Sequence, residues 1–157
     1  MKIMRTTLLI ALAVATFSLA WAEDSDAVKQ DLARLQGEWS MMAGTADGYP
    51  IPDSMIQNSK RICKDGELTV IVGGQLHMKA KISIDPARKP KTVDFDVTAG
   101  PNKGKKLLGI YELEGDTLKS CFGAPGAARP TDFTSDSGDH RTSTVWKREK
   151  SAAKPEK

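Results

Sequence analysis

The sequence is poor in the residues that build catalytic and metal sites. It has two cysteines and two histidines in 157 residues. Two cysteines do not make a disulfide scaffold, so an apolar core must carry the stability. His77 and His140 are far apart and have no third ligand at fixed spacing, which excludes a recognisable zinc motif. The stretch Ser135–Asp139 (SDSGD) offers oxygen ligands without the spacing of a calcium loop. No Gly-x-Ser-x-Gly is present. Cys121, in KSCFG, would need electropositive, partly exposed surroundings to be reactive and reads instead as a buried strand thiol. In GPNKGKK three residues, not four, separate Gly100 from Gly104, and no Ser or Thr follows the lysine, so it reads as a basic turn rather than a phosphate loop. The carboxylates fall in turns and on polar faces and form no acid–base pair. No metal, cofactor or catalysis is expected.

Charge of one sign is also scarce. The formal net charge is +3, and Lys2 and Arg5 supply two of those charges. No nucleic-acid or membrane-surface partner follows from so small an excess. Only one long apolar run occurs, within MKIMRTTLLIALAVATFSLAWA. Basic residues precede it and Ala20-Trp21-Ala22 closes it, the pattern of a signal peptide. At roughly 14–15 residues the run is short of the ~20 that span a bilayer. The expected division is a signal peptide at 1–22, one domain at 23–148 and a disordered basic tail at 149–157. The mature chain is then exported, to the periplasm or beyond, with no stable membrane insertion after cleavage.

The remainder is patterned for strands. DSDAVKQDLARLQ reads as a short helix over 24–36, capped by Asp24, Ser25 or Asp26, with Val28, Leu32 and Leu35 on one stripe. After Gly37 the period changes to two. Trp39, Met41 and Ala43 alternate with Glu38, Ser40 and Met42. Residues 48–59, with two prolines, read as a long loop holding one turn of helix. Asp65-Gly66 favours the positive φ values of a tight hairpin turn, with Leu68, Val70 and Val72 sharing a face beyond it. In QLHMKAKISID, Leu76, Met78, Ala80, Ile82 and Ile84 oppose His77, Lys79, Lys81 and Ser83. Val93, Phe95 and Val97 oppose Asp94 and Asp96. A second hairpin turns at Glu114-Gly115-Asp116, and HRTSTVWKR is the last strand. About eight short strands with turn signals between them and no interleaved helices imply an all-β, antiparallel, up-and-down barrel behind a short N-terminal helix.

Two resemblances follow. Gly37-x-Trp39 at the first strand and Arg148 at the end of the last resemble the lipocalin-like (calycin) pattern. That resemblance implies that Trp39 packs at the closed end of the barrel beneath the Arg148 guanidinium. A second likeness covers nearly all of the mature chain. LQGEW, LGIYELEGDTLKSCF, ARPTDF and the closing VWKR resemble an exported bacterial domain family, abundant in planctomycetes, with no established function. Cys121 fits that family's hairpin, whereas Cys63 has no clear counterpart. The family implies a lipocalin-like barrel and no known activity.

Several residues are candidates for binding. The inward apolar set comprises Met41, Leu68, Val70, Met78, Ile82, Phe95, Ile110 and Phe122. It describes either a pocket for a small, largely apolar molecule or a filled core. Tyr111 offers a hydroxyl to a ligand or is packed with a wet tip. Arg129 faces an anionic head group at the barrel mouth, or it staples the glycine-rich connection with Phe133, held by Asp132. Cys63 and Cys121 either form a disulfide, which would close a loop of more than fifty residues for about 4 kcal/mol, or remain two thiols. The leading function is binding of a small apolar molecule. The alternative is a filled barrel whose loops, 44–59 and 123–140, engage a protein or envelope polymer.

Overall fold

The computed structural model describes residues 14–150, and of residues 14–24 the backbone alone. Most of the expected signal peptide, and residues 151–157 of the tail, lie outside the described residues. In chain order the elements are α1 (Val14–Leu35), β1 (Gly37–Ala46), β2 (Tyr49–Pro50), α2 (Asp53–Ile56), β3 (Lys60–Lys64), β4 (Glu67–Val72), β5 (Gln75–Asp85), β6 (Lys91–Ala99), β7 (Lys106–Glu114), β8 (Thr117–Phe122) and β9 (Thr142–Arg148). Strands β1 and β3–β9 pair antiparallel with their neighbours, and β1 also pairs with β9. The sheet therefore closes into an eight-stranded barrel with no free edge, which removes the template for edge-to-edge aggregation. β2 is a two-residue addition to the far end of β1. No helix among the described residues is long and apolar enough to cross a membrane.

The period-two pattern sets the inner face. Met78, Ala80 and Ile82 on β5 and Val93, Phe95 and Val97 on β6 are all buried and belong to one core. Asp65 and Gly66 take φ of 52° and 78°. The tight turn fixes the β3–β4 register at Lys64↔Glu67, Cys63↔Leu68 and Arg61↔Val70.

The structure differs from the sequence expectation at four places. Pairing of β1 with β9 skips a residue between Met41 and Ala43. This bulge leaves Met42 and Ala43 both exposed and turns Ala46 inward instead. On β5 the pairing passes from Met78 opposite Val70 to Leu76 opposite Ile71, so His77 is the extra residue. Leu76 is consequently exposed and His77 faces the barrel mouth. Ile110 points outward. It pairs with Cys121 on the outer face, where the connection 123–141 crosses the strands. Finally, α1 starts upstream of Asp24–Asp26, because the preceding stretch is rich in the helix formers Ala and Leu.

The two cysteines are free thiols. Cys63 belongs to the barrel core, whereas Cys121 points out and lies against the Thr134 carbonyl at 3.6 Å. The barrel wall stands between them, so the disulfide left open by the cysteine count is not formed. Burial raises the Cys63 thiol above its ordinary value and pushes Cys121 up to about 11. Thiolate is the reactive form. Neither thiol is therefore expected to react with Ellman's reagent in the native protein, and both should react once it is denatured. A native titre of one thiol or more would contradict the placement.

Candidate functional site: a cavity above a sealed floor

One end of the barrel is closed by the junction of α1 and β1. Gly37 takes φ +108°, a backbone that side chains rarely adopt. It lets the chain swing from helix to strand and deliver Trp39 into the interior. Trp39 is fully buried, and its Nε1 donates to the Leu35 carbonyl at 3.1 Å. The Arg148 guanidinium lies 4.2 Å from the centre of the indole ring. Its Nη1 donates to the Gln36 carbonyl at 2.6 Å, its Nη2 to the Arg34 carbonyl, and its Nε to Asp116. A helix ends with carbonyls that lack partners. Arg148 and Trp39 satisfy three from this stretch, and the cation suits the negative end of the helix dipole.

A second cluster tightens the same end. Asp31 sits on the inner stripe of α1 with a side chain only 7% exposed. It accepts from Lys91 Nζ at 2.6 Å and from the Tyr111 hydroxyl at 2.8 Å. Arg34 Nη1 pairs with it at 3.4 Å. Burial pushes the Asp31 carboxyl up, but the hydrogen bonds from Lys91 and Tyr111 and the nearby cations outweigh it, and the group lies below its ordinary value of 3.8. Burial, followed by the bond to Asp31, raises the Tyr111 phenol strongly, so it remains a neutral donor.

Above this floor the barrel is hollow. A cavity of about 340 Å³ reaches the opposite end. Met41, Met78, Phe95 and Phe122 meet in its wall. The Phe95 and Phe122 rings pack edge to face, 5.8 Å between centres. The segment after β1 supplies Tyr49, Ile51 and Met55 at the mouth. Ile51 is tied back by its N–H to the Gly44 carbonyl at 2.8 Å. The β1–β2 turn is held by the far loop. Asp47 Oδ1 accepts from the N–H groups of Gly138 and His140. A β-carbon on Gly48 would fall 2.4 Å from the Ser137 nitrogen, so only glycine permits this approach.

Of the candidate binding residues, the structure brings Met41, Val70, Met78, Phe95 and Phe122 to the cavity wall and leaves Tyr111 and Arg129 aside. Tyr111 faces inward but spends its hydroxyl on Asp31. Arg129 is not at the mouth. It lies on the outer wall, where Nη1 donates to the carbonyls of Val93 and Gly109 at 3.2 and 2.7 Å, and Nη2 meets Asp94 Oδ1 at 2.7 Å. That is the geometry of a staple for the 123–141 connection. Its carboxylate partner is Asp94, since Asp132 turns to Arg141 at 3.5 Å and to Thr134.

One residue of the cavity went unread in the sequence. Arg61, on β3, lines the cavity and is only 4% exposed. Its Nε has no hydrogen-bond partner. The register carried the signal. Paired antiparallel residues point to the same side, and the Asp65-Gly66 turn sets Arg61 opposite the inward Val70. The polar wall also includes His77, Thr142, Ser120 and Thr144; the Ser120 and Thr144 hydroxyls bond each other at 3.0 Å, and Trp146 Nε1 donates to Thr144 at 2.8 Å. Among the described residues no three His, Cys, Asp or Glu side chains gather as a metal site.

The comparisons with known proteins return no match: no family model, no curated protein and no solved structure is similar to this chain. The class is therefore defined by its architecture, a closed eight-stranded antiparallel barrel with a helix at its sealed end.

Proposed function

We propose that this chain is an exported, lipocalin-like binding protein for a small, largely apolar molecule, of the planctomycete-type family its motifs resemble. The observation that carries the reading is the cavity of about 340 Å³ walled by Met41, Met78, Phe95 and Phe122. Small-molecule sites occupy about 300–1,000 Å³ and are mostly apolar with a few placed polar groups. Methionine side chains adapt to irregular cargo. The alternative, an interaction module with a solid interior, needs a filled barrel, and the volume weighs against it. Among the described residues the Ser120 and Thr144 hydroxyls of the cavity bond each other rather than a base, which favours binding without catalysis.

The test is titration with the neutral apolar dye N-phenyl-1-naphthylamine. Saturable enhancement at one dye per chain is expected, abolished in Ala46→Trp, which blocks the mouth. Absence of saturable binding in the unmodified protein would sink the proposal.

A further inference from the structure

A positive charge inside an apolar cavity needs a reason. Arg61 is the one residue of the cavity wall with a permanent charge. Its Nε is enclosed and bonded to nothing. Among the described residues no carboxylate pairs with it, and the one titratable neighbour that bears on it is the Cys63 thiol, which burial keeps protonated and uncharged. Among the described residues the other buried or half-buried cations are partnered. Arg148 caps α1, Arg129 staples the connection, and Lys91 holds Asp31. Desolvation brings Arg61 down to about 10, so it keeps its proton at pH 7. Buried charges are ordinarily paired, because an isolated one is costly.

Its position is informative. Arg61 pairs in register with Trp39 on one side and Val70 on the other. It therefore stands deep in the barrel, in the layer next to the Trp39 floor, while Tyr49 and Met55 line the mouth. A guanidinium presents a planar fork that matches a carboxylate through two parallel hydrogen bonds. One fixed charge suits one negative charge, and no lysine lines the cavity to balance a dianion. At about 30 Å³ for a water-sized group, the volume of about 340 Å³ suits an extended chain of about ten methylene-sized groups.

Resting on the binding function proposed above, we infer that the ligand is a medium-length amphipathic monocarboxylate, bound head first. Its carboxylate meets Arg61 at the bottom, and its apolar body runs between Met41, Met78, Phe95 and Phe122 toward the mouth.

The test compares decanoate with decan-1-ol, by calorimetry at pH 7, in the full protein and in Arg61→Met and Arg61→Lys. In the unmodified protein decanoate is expected to bind about 10- to 100-fold more tightly than the alcohol, the range of a hydrogen bond to a charged group. Arg61→Met should remove that preference and leave alcohol binding intact. Arg61→Lys, which keeps the charge but not the fork, should fall between. Ligand-free Arg61→Met should also melt higher than the parent, because an unpaired buried charge has gone; a purely structural arginine would give a lower melting temperature. Equal affinity for acid and alcohol in the unmodified protein overturns the inference and leaves the apolar-ligand function standing, a comparison that needs no variant to fold. Binding of neither overturns both.

Discussion

Trp39→Ala is expected to destabilise the protein by about 3–5 kcal/mol, the range for truncating a large buried aromatic. The loss has two sources. The indole is wholly enclosed, so its removal opens a hole at the base of the barrel. Its departure also strands partners. The Leu35 carbonyl loses a donor and the Arg148 guanidinium loses the ring face it covers. The cation–π share alone is about 0.5–2 kcal/mol. Urea unfolding followed by circular dichroism would measure the change. A shift below about 1 kcal/mol, the scale of an ordinary surface substitution, would mean that the floor is not built around this ring.

Asp31→Ala is expected to cost about 3 kcal/mol, near the lower end for breaking a buried pair, because Lys91 retains a third of its exposure. The change leaves the Tyr111 hydroxyl and the Lys91 ammonium without their shared acceptor. It also loosens α1 from the barrel, so amides of residues 25–35 should exchange faster than those of β5 or β6. The same carboxylate gives a signed pH dependence. Its folded value lies below the unfolded 3.8. Its contribution is therefore fully present above about pH 5, where the unfolded carboxyl is also ionised, and is lost as the pH falls through the folded value. The parent should lose stability below pH 4 more steeply than Asp31→Asn, measured by urea midpoints across pH 2–7. Parallel curves would contradict the assignment.

The barrel was legible in the sequence because its signal is repetitive. Alternation along QLHMKAKISID and TVDFDVT, with Asp65-Gly66 and Glu114-Gly115-Asp116 between strands, specifies antiparallel neighbours without knowledge of tertiary contacts. The bulges at Met42 and His77 were not legible. A bulge is a mismatch of two strands, and no single strand's pattern contains it, which is why Ala43 and Leu76 lie outside although the alternation assigns them inside. Ile110 was misplaced for a related reason. An apolar residue on an outer face looks like a core residue until a covering segment, here the connection after β8, is known to cross it.

The candidate site was legible in its apolar part and hidden in its polar part. Met41, Met78, Phe95 and Phe122 sit at regular inward positions. Arg61 sits at one too, but in KRICK the eye assigns the inner face to Ile62 rather than to an arginine. Only the hairpin register, read outward from the turn, reverses that choice. Asp31 hides in the same way, one residue before Leu32 on the apolar stripe of α1. Arg129 and Asp132, three residues apart in ARPTDF, suggest a pair. The folded connection instead sends each to a more distant partner, which sequence proximity does not reveal.

The most direct test of the central claim, a ligand cavity inside this barrel, uses the methionines as reporters. Met41 and Met78 line the cavity, whereas Met42, next to Met41 in sequence, faces solvent at 55% exposure. With methyl-labelled methionine, titration of the neutral dye N-phenyl-1-naphthylamine followed by NMR should shift the Met41 and Met78 methyls along one saturating curve while the Met42 methyl stays in place. If Met42 moves as far as the other two, or if Met41 and Met78 do not move at saturating dye, the molecule binds on the surface or not at all, and the barrel is a filled scaffold.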